Sequence, residues 1–298
     1  MQKNILLTGY SGFLGSYFYN HLKSDYKVDT LGRNSNNTII CDISKIIPQL
    51  NKKYELVIHN AGKAHHVPKT EKEKKDFFKI NYQGTINLCN SLENNLPKNF
   101  IFISTIAVYG KDFGLNITES EPLLGKTPYA QSKIKAENYL QKWSKKHNVN
   151  LIILRLPLVA GKNPKGNLDV MIKGIKKGYY FNIKNNKAKK SIVLAKDIAE
   201  FIPYLINKNG IYNLAGDKDY TFKEISYIIS QQLNNKKVLE LPYFLVHFLS
   251  IIGAFIPYFP LNKNSFKKMS TSLTVCSEKA KKELHWNPRS LTNNFKIK

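Results

Sequence analysis

The sequence is poor in arginine, in acidic residues and in cysteine, and each shortage excludes something. Of 46 basic side chains only Arg33, Arg155 and Arg289 are arginine, and the lysines are scattered. The planar guanidinium fork is the usual reader of phosphate and base edges, so this scarcity argues against nucleic acid as a partner. Only 21 Asp and Glu oppose the 46 cations, leaving a formal net charge of +25. Such a field draws polyanionic small substrates or an anionic membrane face. Cys41, Cys89 and Cys276 lie far apart with no CxxC, which excludes a disulfide scaffold and a zinc module and fits a reducing cytoplasm. No metal site is expected. The opening MQKNILLTGYSGFLG enters an apolar strand directly, so no cleaved secretory signal is expected. One apolar run, 241–261, approaches the roughly 20 residues of a bilayer span, but Pro242, His247, Gly253, Pro257 and Pro260 interrupt it. It reads as a buried helix and not as an integral span. Contact with a membrane surface, aided by Lys263, Lys267 and Lys268, is the lesser alternative.

What is present is the pattern of a folded α/β protein. The 298 residues are 42% hydrophobic and 22% charged. Short apolar runs at 4–8, 27–31, 38–40, 56–59, 100–104 and 151–156 alternate with helical spacing at 13–22, 77–92 and 129–143. That alternation predicts crossover units and a parallel sheet covered on both faces. After Gly161 the rhythm changes at the turn-rich GKNPKGN. The expectation is a doubly wound, Rossmann-type domain over 1–160, its sheet rejoined by segments within 191–215, and a smaller C-terminal α/β substrate lobe over 161–298.

The strongest local signal is TGYSGFLG at 8–15, closing the first strand and opening the first helix. Gly9 permits a tight turn, Gly12 lets backbone approach a pyrophosphate, and Gly15 lets helix and strand pack closely. Phe13 and Leu14 open the helix, whose free N–H groups and dipole suit phosphate.

With its G-x-x-G-x-x-G spacing, this segment resembles the short-chain dehydrogenase/reductase superfamily, and specifically its extended branch, the NAD-dependent epimerase/dehydratase family. CDI (41–43), HNAGKAHHV (59–67), INYQGTINL (80–88), FISTIAVYG (102–110), PYAQSK (128–133), LRLPLVAGKNPKGN (154–167), YNLAGD (212–217) and KAKKELHWNP (279–288) match that branch in order, across essentially the whole chain. The resemblance implies that Asp42 and Ile43 contact adenine, that Asn60, Ala61 and Gly62 lie beside the cofactor, and that Pro157 packs on the nicotinamide. An NAD-specific site places a carboxylate at the end of the second strand. Here that place is Gly32, followed by Arg33, and an arginine beside a vacated acidic position suits a 2′-phosphate. NADP(H) is therefore favoured, with NAD(H) the alternative.

Tyr129 and Lys133 form Y-x-x-x-K, which one helical turn brings onto one face. A neighbouring ammonium and an oxidised nicotinamide are expected to pull the phenol below its ordinary value near 10. Tyr129 would then exchange a proton with a sugar hydroxyl while hydride moves to or from the ring, and Lys133 would hold the nicotinamide ribose. In the resemblance Thr105 takes the place whose hydroxyl orients the reacting oxygen. The family's 4,6-dehydratases carry Asp-Glu directly after this threonine; here Ile106 and Ala107 stand there, and the loop lacks the Cys of the 3,5-epimerising reductases.

Hydride chemistry at C4 remains. The favoured form is NADPH-dependent reduction of a UDP-4-keto-6-deoxy-N-acetylhexosamine for surface polysaccharide, and the alternative is redox-neutral UDP-sugar 4-epimerisation. For the substrate diphosphate the resemblance implies Lys190, with Lys189 as rival, and Asn167. Leu158 departs from the asparagine of well-known epimerases, and Lys165 would compensate. His65 and His66 are as readily structural as functional. A homodimer through 72–95 and 129–147 is implied as well. A non-catalytic NADP(H)-sensing regulator and a membrane-associated binding subunit are the rivals from other classes.

Overall fold

Strand β1 (Asn4–Thr8) buries Ile5, Leu6 and Leu7 completely, the pattern of a strand covered on both faces. The computed structural model describes residues 3–64, 66–253 and 261–297. From β1 the chain runs through α1 (Phe13–Leu22), β2 (Lys27–Gly32), β3 (Ile39–Ile40) and β4 (Leu56–His59). Next come α2 (Glu71–Phe77), a π-helical turn at Phe78–Gln83 and α3 (Gly84–Leu92). After these lie β5 (Asn99–Thr105), β6 (Gly114–Ile117), α4 (Pro128–His147) and β7 (Asn150–Leu156). The chain then passes β8 (Leu158–Ala160), α5 (Asn167–Lys177), β9 (Phe181–Ile183), β10 (Lys189–Leu194), α6 (Ala195–Phe201) and β11 (Gly210–Asn213).

Seven strands form a parallel sheet in the order β11-β7-β5-β4-β1-β2-β3. Ile5 and Leu7 face a core that includes Phe18 and Leu22 of α1 and Ile198 of α6, while Leu6 faces Leu88 and Leu92 of α3 and Leu140 and Trp143 of α4. Alternate residues of one strand thus feed opposite cores, as the two-residue repeat of a strand requires. Strand order reverses between β1 and β4, and in such sheets the crevice at the carboxyl ends of the strands is where ligands bind.

The remaining chain adds β12 (Asp219–Thr221), α7 (Phe222–Gln232), β13 (Leu239–Leu241), α8 (Tyr243–Ile252), α9 (Lys263–Ser270), β14 (Leu273–Val275), α10 (Glu278–Leu284) and α11 (Leu291–Asn294). A second sheet has the order β12-β10-β14-β6, with β8 also paired to β10. Of the two segments expected to rejoin the first sheet, 210–213 lies there as its edge strand. Residues 191–194 do not, because β10 pairs with β8, β12 and β14 instead. An apolar run specifies a buried strand without specifying which sheet receives it.

The expectation of a buried helix at 241–261 is overturned. α8 has ten residues, of which only Val246 and Ser250 are buried, and Phe244 is 74% exposed. Its neighbour α9 covers one side, and because nearly every position is apolar the uncovered side is apolar too. Residues 254–260 of that run lie outside the described residues. Among the described residues no helix is long and apolar enough to cross a membrane.

Candidate active site

The carboxyl ends of β1, β4, β5 and β7 stand side by side, and each delivers part of the site. At the end of β1 the backbone turns at Gly9, whose φ is +71°. A Cβ there would stand 2.8 Å from the Ala61 backbone, and one at Gly15 would stand 2.0 Å from the Gly9 carbonyl, so neither position admits another residue. Gly12 caps α1 without a side chain, which leaves the N–H groups of Phe13, Leu14 and Gly15 to an outside acceptor. Asn60 Nδ2 donates to the Gly9 carbonyl at 3.2 Å and ties the end of β4 to this turn.

At the end of β2 a Cβ on Gly32 would stand 2.9 Å from Asn37 Oδ1, so a larger residue there would require the Asn37 side chain to shift. That Oδ1 is buried and has no partner among the described residues. Arg33 is exposed just beyond. Burial would raise Asp42, but bonds from the Ser44 hydroxyl (2.6 Å) and amide (3.1 Å), with Arg33 and Lys45 nearby, hold its carboxyl below the usual range. Arg155 and Arg289 are engaged in internal ion pairs with Glu137, and with Asp197 and Glu200. A glycine cradle, an open helix terminus and an exposed arginine beyond β2 are groups a dinucleotide needs, and the residues fit the group.

A buried polar chain runs from this cradle to the reacting end. The Thr8 hydroxyl accepts from the N–H groups of Asn60 (3.2 Å) and Ala61 (3.0 Å). Its own proton therefore goes to His59 Nδ1 at 2.8 Å. Thr85 donates to the Asn81 carbonyl at 2.6 Å, so its oxygen accepts from His59 Nε2 at 2.9 Å. His59 is thus neutral and protonated on Nε2; burial first, and the charge of Lys133 second, lower its pKa to about 3. Because the folded pKa lies below the ordinary 6.5, the stability it reflects is complete above pH 6.5. It is lost as pH falls toward about 3, at ~1.4 kcal/mol per pH unit. Urea unfolding across that window is expected to show this slope, and His59→Asn to flatten it; an unchanged slope in the variant assigns the acid sensitivity elsewhere.

Asn81, inside the π-helical turn, accepts from Lys63 N at 2.6 Å and donates to the Lys63 carbonyl (3.0 Å) and to Ser132 Oγ (2.9 Å). A Cβ on Gly62 would stand 3.1 Å from Asn81 Oδ1 and 3.5 Å from Lys133 Nζ. The π turn thereby brings a buried amide against Ser132 of α4, as such irregular turns often do at functional sites.

Helix α4 starts at Pro128 behind the N-cap Thr127, whose hydroxyl accepts from Ala130 N, so Tyr129 and Lys133 lie in its first two turns. Thr105 ends β5 and hydrogen-bonds Tyr129, and both are half-buried. In the protein alone no acidifying effect of Lys133 on the phenol is seen. Burial drives Tyr129 up to about 12, against the lowering effect of Thr105. The Lys133 amine instead donates to the Ile103 carbonyl at 2.8 Å and lies 4.4 Å from the centre of the Phe102 ring. Burial pulls Lys133 down to about 8, with Glu137 opposing. One turn on, Glu137 is fully buried, accepts from Ser104 Oγ, and pairs with Arg155 at 2.7 Å.

Pro157 is half-buried just past β7. Ile43 is buried beside Gly84 at the start of α3. In the second sheet Lys190 is buried over the Phe222 ring (5.9 Å), and burial, with repulsion from Lys268, lowers it to about 8; Lys189 is exposed. Asn167 opens α5 after Gly166, and Lys165 and Asn167 are exposed on this hinge. Leu158 lies in β8, opposite Ile192. His66 stands 3.4 Å from Glu73 at the start of α2, and His65 lies outside the described residues. The sequence assigned no role to His59, Asn81 or Glu137, although Asn81 opens the N-x-x-G-T part of INYQGTINL and Glu137 stands four residues after Lys133.

A sequence profile described as the NAD dependent epimerase/dehydratase family matches residues 5–215. An Escherichia coli O157:H7 protein, N-acetyl-alpha-D-glucosaminyl-diphospho-ditrans,octacis-undecaprenol 4-epimerase, is 28% identical over 82% of this chain and 76% of its own length. The UDP-glucose 4-epimerase of Vibrio cholerae is 29% identical over 68% of this chain and 66% of its own. Among solved structures, a UDP-N-acetylglucosamine 4-epimerase from Methanobrevibacter ruminantium, in complex with UDP-N-acetylmuramic acid, superposes with a TM-score of 0.74. It is 25% identical, and the match covers 97% of this chain and 93% of that one.

Proposed function

The chain belongs to the NAD dependent epimerase/dehydratase family, and from that premise we propose that it performs hydride chemistry at C4 of a UDP-sugar. The form we favour is NADPH-dependent reduction of a UDP-4-keto-6-deoxy-N-acetylhexosamine, feeding surface-polysaccharide synthesis in the cytoplasm. A homodimer through 72–95 and 129–147 belongs to the same reading.

The observation that carries it is the convergence of Thr105, Tyr129 and Lys133 beside Gly62, at strand ends adjoining the glycine turn. When bound, the nicotinamide supplies the hydride. Thr105 orients the sugar oxygen, and Tyr129 gives its phenolic proton to that oxygen as the C4 alkoxide forms. A phenol held near 12 is protonated at neutral pH, which is the form a reduction consumes. Lys133, whose amine donates to the Ile103 carbonyl, would hold the ribose. Lys190 carries the substrate diphosphate, together with Lys165 and Asn167. In the cofactor, Gly9, Gly12 and Gly15 with Phe13 and Leu14 hold the pyrophosphate, Asp42 and Ile43 the adenine, Asn60 to Gly62 and Pro157 the nicotinamide side, and Arg33 the 2′-phosphate.

A second reading, redox-neutral 4-epimerisation with NAD, is favoured by the activities in the names of the relatives. The cofactor that purifies with the protein separates the two. Tightly held NAD supports epimerisation, whereas an empty site that fills with NADPH supports reduction. Arg33→Ala is expected to weaken NADPH by about 10–100-fold, the worth of one charge-assisted bond to phosphate, and to leave NADH nearly unchanged. Equal weakening of both cofactors removes the 2′-phosphate argument.

A further inference from the structure

The exposed residues of α8 form one stripe. Phe244, Phe248, Ile251 and Ile252 follow the i, i+4, i+7, i+8 spacing of a single helical face, with Phe244 74% and Phe248 58% exposed. On the opposite side Val246 and Leu249 join Phe266 of α9, and the exposed rings of Tyr243 and His247, at the edge of the stripe, meet Phe266 at 5.2 Å each. A contiguous apolar face of this kind marks an interaction surface.

Its electrostatic setting selects the partner. Between Glu240 and Glu278 the sequence has no acidic residue, and it places Lys263, Lys267 and Lys268 on the adjoining α9, all exposed. Lys267 pairs with Asp112, while Lys268 lies close enough to Lys190 for their charges to repel. Apolar side chains flanked by lysines on a chain of net charge +25 match a surface that is oily below and negative above. A second copy matches poorly. Four side chains on a ten-residue helix fall short of the ~800 Å² per partner of a stable interface.

We propose that α8 is an interfacial anchor that docks the protein on an anionic lipid bilayer, with its apolar stripe at the headgroup–acyl boundary and the α9 lysines at the lipid phosphates. The proposal stands apart from the reaction and survives or fails independently of it.

The test is flotation of the full chain with phosphatidylcholine vesicles that contain or lack phosphatidylglycerol. Flotation with the phosphatidylglycerol vesicles is expected, weakening as salt is added. Phe244→Ser/Phe248→Ser should reduce it by about tenfold or more, with the melting temperature unchanged because both rings are exposed. Lys263→Glu, which leaves the stripe intact, should reduce it as well. No flotation, flotation equal on both vesicle types, or flotation unaltered in the double variant overturns the proposal. So does a concentration-dependent dimer that the double variant abolishes in the absence of vesicle binding.

Discussion

Tyr129→Phe is expected to lower turnover by ~10²–10⁴ while leaving cofactor affinity unchanged. The substitution removes one oxygen and little else. The ring still packs 6.1 Å from Phe77, and the polar chain from Thr8 to Asn81 does not include it. What disappears is the partner of Thr105 and the proton that the C4 oxygen must receive. Single-turnover kinetics alongside a cofactor titration separates the two effects. Turnover within a few-fold of the parent removes Tyr129 from the chemistry, and a parallel loss of cofactor binding means the substitution has disturbed the site as a whole.

Arg155→Ala is expected to destabilise the fold by about 3–5 kcal/mol, the range for stranding one member of a buried ion pair. Both partners are deep, with side-chain exposures of 3% for Arg155 and 0% for Glu137. The guanidinium also donates to Tyr109 Oη at 3.2 Å and the Glu119 carbonyl at 3.3 Å, so it joins α4 to segments that lead into the second sheet. Without it Glu137 keeps Ser104 as a donor and has no counter-charge at bonding distance. Urea unfolding measures the loss. A change below about 1 kcal/mol is what an exposed pair gives and contradicts the account of this one.

Much of the first sheet was legible because its strands are buried on both faces and its helices are periodic, so two different repeats alternate along the chain. TGYSGFLG was legible for a stricter reason: the near-contacts at Gly9 and Gly15 leave no other residue type for those positions. The sheet joined by β10 was not legible, since pairing partners far apart in sequence leave no local trace. α8 misled because uniform apolarity conceals which side is covered. His59 and Asn81 were missed as polar members of apolar or helical segments, and their partners Thr8, Thr85, Lys63 and Ser132 are 18 to 51 residues away. Spacing put Lys133 on the same face as Tyr129 but carried no sign that the folded amine turns to the Ile103 carbonyl.

The central claim is that hydride reaches sugar C4 while Tyr129 protonates the adjoining oxygen. The direct measurement mixes the purified protein, NADPH deuterated at its transferable position and a UDP-4-keto-6-deoxy-N-acetylhexosamine. It follows nicotinamide absorbance and the label in the sugar. Equimolar cofactor oxidation with deuterium at C4, abolished in Tyr129→Phe, is the predicted result. Cofactor that stays reduced, or oxidation that leaves C4 unlabelled, contradicts it.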